Sequence, residues 1–163
     1  MTRSGIEELS EETLRSLLSF SKNPVSNSAQ FSAFIFDLFT DLNWAGFYYY
    51  NGNALVLGPY QGKVACDEII PGRGVCGTAF VKRSTLNIPN VHDFKDHIAC
   101  DSRSNSEIVI PIIKNQNVYG VFDVDSIRLD RFTQIASTLE KLVDVFIQCT
   151  DFEEVFKIGF QPI

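Results

Sequence analysis

Trp44-Ala45-Gly46-Phe47-Tyr48-Tyr49-Tyr50, followed by Asn51-Gly52-Asn53 and the run Ala54 to Tyr60, is the stretch whose reading decides the fold. The first run is aromatic and β-prone, Asn-Gly-Asn reads as a tight turn, and the second run alternates well enough to pair back. A β-hairpin therefore opens a sheet here. Downstream, Val64 to Ile70 is a candidate third strand, stopped by Pro71-Gly72-Arg73-Gly74, a glycine turn that leads into a short helix from Val75 to Lys82. Leu86-Asn87-Ile88-Pro89 predicts a brief strand. Glu107 to Ile113 and Val118 to Val124 are β-rich runs joined by Lys114-Asn115-Gln116-Asn117, a second hairpin expected near the centre of the sheet. Between these blocks, Asn90 to Ser106 is polar and has no sustained period, and surface loops of that length usually carry function.

Helices are expected on either side of the strands. Ile6, Leu9, Leu14, Leu17 and Leu18 recur at helical spacing and predict one or two short helices, with Ser10-Glu11-Glu12 as a start signal inside the run. After the breaker Asn23-Pro24-Val25-Ser26-Asn27, the residues Phe31, Phe34, Ile35, Leu38, Phe39 and Leu42 trace a second helix, with Ser26 or Asn27 as its candidate N-cap. From Leu129 onward, Phe132, Ile135, Ala136, Leu139, Leu142, Val143, Phe146 and Cys149 form one helical stripe that reaches toward Phe152 and Phe156, with Asp130 near its start. The order predicts an α+β fold: a central antiparallel sheet of about six strands flanked by helices, including a long C-terminal one. The βαβ alternation of nucleotide-binding folds is absent. The reading is one domain over residues 1–163, with 1–26 as a helical lead-in and 151–163 as a tail.

Composition narrows the class of function. A chain of 163 residues can bury a core without a staple, and 45% hydrophobic with 21% charged residues is too apolar for a disordered chain. A net charge of −6 repels phosphate backbones and anionic lipid, so neither nucleic acid nor membrane is an expected partner. Apolar runs such as Ile108 to Ile113 fall far short of the ~20 residues of a membrane span, and the N-terminus lacks the order of a signal peptide. The expected location is the cytoplasm. There, four cysteines in a chain of this size are free, catalytic or metal-binding rather than structural bridges.

Cys149 sits on the last helical stripe and reads as a core residue. Cys66, Cys76 and Cys100 each lie beside polar or glycine-rich sequence and look reachable. With His92 or His97 they could hold zinc, but separations of 10 and 24 residues miss the short knuckles of structural zinc sites. A redox set is the second reading, in which a thiolate becomes a sulfenic acid that a neighbouring cysteine captures; unreactive thiols are the third. Asp123 and Asp125, two apart on an apolar strand, share a face, and Glu107 on a neighbouring strand is a third acid for the same pocket. Such acids suit a ligand ammonium or donate a proton, although a capped strand-end turn at Asp125 and Ser126 would also explain the pair. Trp44 and Tyr48 share a face as well, fit either to wall a small pocket or to pack in the core. Gly72-Arg73-Gly74 before a helix is a weak candidate for holding an anion. His97, three residues before Cys100, is either a solvated loop histidine or an orienting group for that thiol.

Taken in order, Asn43-Trp44-Ala45-Gly46-Phe47-Tyr48, Leu57-Gly58-Pro59-Tyr60-Gln61-Gly62-Lys63, Ala65-Cys66, Gly72-Arg73-Gly74-Val75-Cys76-Gly77, His97-Ile98-Ala99-Cys100-Asp101, Ser106-Glu107-Ile108-Val109 and Asp123-Val124-Asp125-Ser126 resemble the free methionine-R-sulfoxide reductases. These are single GAF domains, and the match runs from about Asn27 to Phe146. The resemblance implies that Cys100 attacks the sulfoxide sulfur, that Cys66 is the principal resolving cysteine and forms a disulfide with Cys100, and that Cys76 is auxiliary. It implies that Trp44 and Tyr48 hold the methyl-sulfur end, and that Glu107, Asp123 and Asp125 bind the ammonium and assist protonation of the oxygen. It calls for thioredoxin or a similar dithiol as reductant and for no cofactor and no metal. Because GAF domains often pair through terminal helices, a homodimer is also expected. The alternative is a non-catalytic GAF sensor for a small amino-acid-like ligand. The sequence departs from the family in Ile127, where a proline often follows the serine, and in its tail with Phe152, Phe156 and Phe160.

Overall fold

The computed structural model describes residues 3–98 and 100–153, the first seven of them by backbone alone. Four α-helices, α1 (Arg3–Leu17), α2 (Pro24–Leu38), α3 (Gly74–Lys82) and α4 (Ala136–Cys149), surround six strands. The strands are β1 (Leu42–Tyr50), β2 (Leu55–Gly62), β3 (Glu68–Ile69), β4 (Leu86–Ile88), β5 (Ser106–Lys114) and β6 (Asn117–Ser126). All neighbours pair antiparallel in the order β3-β2-β1-β6-β5-β4, an α+β architecture with β1 and β6 at its centre. No helix among the described residues is long and apolar enough to cross a membrane.

The two faces of the sheet do different things, because side chains alternate along each strand. On one face Ala45, Phe47, Tyr49, Ile108, Ile110, Phe122 and Val124 pack against Leu14 of α1, Phe31 and Ile35 of α2, and Leu139, Leu142 and Phe146 of α4. The centre of this core is aromatic, with Phe31 edge-on to Phe122 at 4.8 Å and Phe47 tilted on Phe146 at 4.7 Å. On the other face Trp44, Tyr48, Val109 and Val121 meet Val75, Cys76, Ala79 and Phe80 of α3. One short helix cannot cover a six-stranded sheet. The uncovered part of this second face becomes the site.

Several local expectations are corrected by the structure. Ser10-Glu11-Glu12 starts nothing: α1 runs through it, and a 3-10 turn over Leu18–Phe20 ends the segment. The cap of α2 is Asn23, whose side chain accepts from Val25 N and Ser26 N while Pro24 occupies the first turn, so neither Ser26 nor Asn27 is the N-cap. Leu42 leaves the helical stripe because α2 ends at Leu38, where Phe39 is already extended (φ −110°, ψ 118°), and Asp41 at φ 69° lies in the turn before β1. The third strand shrinks from Val64–Ile70 to Glu68–Ile69, since residues 63–67 leave the sheet edge. Asp130 at φ 50° lies in the turn segment ahead of α4, which begins at Ala136 rather than near Leu129. The helix stops at Cys149, and Phe152 packs beyond its end against Tyr119 and Phe146. Phe156 and Phe160 lie outside the described residues.

Candidate functional site

Strand register assembles the site. Trp44 on β1 pairs with Asp125 on β6, which pairs in turn with Glu107 on β5; one step along, Gly46 pairs with Asp123 and Asp123 with Val109. Period two places Trp44, Tyr48, Glu107, Asp123 and Asp125 on one face of three adjacent strands. Gly46 supplies the room, because a Cβ there would meet Tyr60 Cβ at 2.2 Å, and Tyr60 instead crosses it to stack on Trp44 at 5.2 Å. Trp44 also stacks on Tyr48, at 5.8 Å with planes 23° apart, forming one wall. The N-terminal turn of α3 brings Arg73, Gly74, Val75 and Cys76, and the 62–67 and 94–104 loops close the top. The result is a small, partly open cavity at the end of the sheet's second face.

At that mouth Cys66 and Cys100 are joined by a disulfide, with their Cα atoms 5.6 Å apart. Cys100 is exposed and Cys66 half-buried. The loop that presents Cys100 is tied down just after it. Asp101 receives Arg103 Nε and Nη2, the latter at 2.6 Å, and Asn43 Nδ2 donates to both Asp101 Oδ2 (3.1 Å) and Ser104 Oγ (2.9 Å). Arg103 beside Asp101 holds that carboxyl well below the usual carboxylate range. Its negative charge is thus neutralised next to the thiol. Tyr48 anchors the other loop by donating from its hydroxyl to Cys66 O at 3.0 Å.

Cys76 is the third thiol of the pocket and remains free, 4.0 Å from Glu107 Oε1. Burial, then the facing carboxylates, pushes it well above the usual thiol range. The acids shift the same way: burial raises Glu107, Asp123 and Asp125, and each is raised further by a neighbouring carboxylate. Burial and mutual repulsion thus disfavour ionisation of all three acids together. They are then proton donors as well as acceptors for a cation. Among the described residues, Asp123 Oδ1 and Trp44 Nε1 have no hydrogen-bond partner, although both are buried. Buried polar atoms left unpaired at the wall of a cavity are poised for something the cavity admits.

The structure thus brings Cys76, Cys100, Trp44, Tyr48, Glu107, Asp123 and Asp125 to one cavity, and holds Cys66 beside it through the disulfide to Cys100. His97 lines it too, but its Nε2 lies 3.3 Å from Glu107 Oε2, and burial lowers its pKa. His92 is not part of the site; its ring bonds Asn105 Oδ1 at 3.0 Å. Cys149 sits at the edge of the other core. Two supporting residues carried no signal of their own in the sequence, Asn43 and Ser104, because their use depends on a loop 58 to 61 residues away. Asn43 is the second residue of β1 and stood in the first of the motifs that carried the resemblance, but nothing there assigned it this partner.

Known proteins resemble this chain in sequence and in fold. The GAF domain family model matches residues 33–147. The chain is 45% identical over 136 residues to the free methionine-R-sulfoxide reductase of Escherichia coli K12, covering 78% of this chain and 80% of that one. It is 43% identical over 148 residues to the protein of that name from Saccharomyces cerevisiae, covering 83% and 82%. The crystal structure of free methionine-R-sulfoxide reductase from Neisseria meningitidis in complex with its substrate superposes with a TM-score of 0.86 at 33% identity, covering 97% of this chain and 95% of that one.

Proposed function

The chain belongs to the GAF-domain family and is homologous to the free methionine-R-sulfoxide reductases, and on that premise we propose that it reduces free L-methionine-R-sulfoxide to L-methionine with the residues of this cavity. The observation that carries the reading is a disulfide at the mouth of a cavity floored by the buried carboxyls of Glu107 and Asp123 and the half-buried Asp125, and walled by a Trp-Tyr stack. In the reduced enzyme Cys100 attacks the sulfoxide sulfur while a buried carboxyl of the Glu107, Asp123 and Asp125 set protonates the oxygen. The oxygen passes to Cys100 as a sulfenic acid and the thioether, free methionine, departs. Cys66 then attacks Cys100, water leaves, and the Cys66–Cys100 disulfide forms. An external dithiol regenerates both thiols and is itself oxidised to a disulfide.

The remaining residues orient the substrate. Trp44 and Tyr48 pack on the methyl-sulfur end, a soft group that suits aromatic faces. The carboxyl cluster takes the ammonium, and the backbone N–H groups opening α3 at Gly74 and Val75 take the carboxylate. A methionine inside a polypeptide offers amides in place of both charges, so the closed pocket selects the free amino acid. The exposure of Cys100 suits a dithiol protein such as thioredoxin. Cys76 is auxiliary. A single domain, a cytoplasmic location and a homodimer complete the proposal.

The test is methionine formation from the R and S epimers separately, with a dithiol reductant, for the wild type and Cys100→Ser. The expected result is turnover of the R epimer alone and its abolition in Cys100→Ser. Binding of the sulfoxide without turnover by the fully reduced protein would return the chain to the sensor reading.

A further inference from the structure

We propose that the exposed apolar side chains of Val64, Ile70 and Ile98 form a collar around the Cys66–Cys100 bridge, on which a protein dithiol with an apolar rim docks to attack the Sγ of Cys100. The surface deepens the reductase reading and rests on it for the need of such a partner. Val64 is 83% exposed, Ile70 55% and Ile98 37%. Val64 and Ile98 each stand two residues before a bridged cysteine, and both line the cavity together with Cys100. The turn into α3 joins the collar: Ile98 lies over Gly74, where a Cβ would come within 3.0 Å of its Cδ1, and Ile70 O accepts from Arg73 N at 3.0 Å. Gly72, between Ile70 and Gly74, has open space where a Cβ would stand, so the surface there is bare backbone. Single exposed apolar side chains are ordinary, whereas a group of them around one reactive bond marks a contact surface. Ile70 does not line the cavity, so a bound substrate does not account for its exposure.

The bridge itself is asymmetric. Cys100 is exposed, whereas Cys66 is half-buried and its carbonyl accepts from the Tyr48 hydroxyl at 3.0 Å. Exchange runs through the sulfur that the incoming thiolate can reach. The partner's first thiolate bonds to Cys100 Sγ, the S–S bond breaks, and its electron pair leaves on Cys66 Sγ, which takes up a proton. The partner's second thiolate then attacks the partner sulfur of this mixed disulfide, and Cys100 departs as a thiolate. Two electrons have passed to the bridge, and the partner is left as a disulfide. The sulfur that meets the next sulfoxide is thus the last one released, already ionised. Exposed charges beside the collar, Lys63, Arg73 and Lys95 against Asp67, Glu68 and Asp96, balance in sign. Apolar contact, not net charge, therefore distinguishes this surface.

The test needs no sulfoxide. Oxidised protein is mixed with reduced thioredoxin or, in parallel, with dithiothreitol, the reaction is quenched with an alkylating agent, and the opened bridge is quantified by mass spectrometry. In the double variant Val64→Ser/Ile70→Ser the rate constant with thioredoxin should fall about tenfold or more, as loss of buried apolar contact implies, while the rate with dithiothreitol stays that of the wild type. Phe20→Ser, at an exposed residue beside α1, α2 and α4, should change neither rate. A thioredoxin lacking its second cysteine should be trapped on Cys100, as read by peptide mapping. The docking surface is overturned by an unchanged thioredoxin rate in the double variant, by equal slowing with both reductants, by an equal loss in Phe20→Ser, or by a wild-type bridge that only dithiothreitol opens. Trapping on Cys66 overturns the assigned sulfur. Should the double variant lose its folded circular dichroism spectrum, Val64→Ser and Ile70→Ser taken singly are read in the same way. Methionine formation driven by dithiothreitol, which needs no docking, judges the reductase reading, so the two proposals fail separately.

Discussion

Asp123 shows how one residue ties stability to chemistry. Burial, followed by the Glu107 charge, raises its carboxyl well above the usual range, whereas in the unfolded chain it titrates near ~3.9. Between those two values the native state holds a proton that the unfolded state has released. Stability contributed by this group is therefore present at low pH, falls as pH rises through that window, and levels off above the folded value. Asp123→Asn should flatten that slope, leaving the part due to Glu107 and Asp125. Denaturant midpoints at pH 5 and pH 8 read the difference; parallel wild-type and variant curves would contradict it. If Asp123 binds the ammonium or donates the proton, the same variant should lose about 100-fold or more in turnover, the range of a general acid. The residue types and their two-residue spacing were legible in the sequence. That burial rather than a strand-end turn governs them was not, because burial is set by α3 and by a loop remote in the chain.

Among the elements, α2 and α4 show how termini decide where a periodic stripe becomes a helix. At α2, Asn23 satisfies two N–H groups of the first turn at 3.0 and 3.1 Å, so Asn23→Ala should cost about 1 kcal/mol, measured by urea denaturation. Ser26→Ala, which removes no cap, serves as the control. At α4 the last carbonyls are answered from elsewhere: Lys114 Nζ donates to Ile147 O and Thr150 O, and Asn27 Nδ2 to Cys149 O. Such partners are invisible to a local reading. The hydrophobic period located α2 and α4 correctly but overran both, into Leu42 and back to Leu129, because the apolar pattern continues through the extended Phe39 and the turn segments around Asp41 and Asp130 that lie outside the helices. The strands were easier to read in the centre than at the edge. β1, β5 and β6 each carry a long, mostly apolar run, whereas β3 depends on where the chain near Cys66 leaves the sheet.

In the molecule as a whole, the disulfide links two loops 34 residues apart that meet only over the cavity. Chain-entropy reasoning for a loop of that length gives it about 3–4 kcal/mol of stability. Reduction by a dithiol should lower the denaturation midpoint accordingly, and Cys66→Ser should be insensitive to reductant; equal midpoints with and without reductant would show that the bridge does not constrain the fold. The same bridge that stabilises the molecule is the one the proposed cycle breaks on every turnover. The sequence by itself determined the α+β class, the central strands and helices, and, through motifs in register, the family and the identity of the cysteines, acids and aromatics. Those features are written in local periodicity and residue type. Only the tertiary structure decided that Glu107 and Asp123 are buried where ionisation is disfavoured, that Asn43 and Ser104 hold the loop behind Cys100, and that His97 faces Glu107. Each of these depends on β1, β5, β6, α3 and two loops converging, and the distance between them in space has no signature in their distance along the chain.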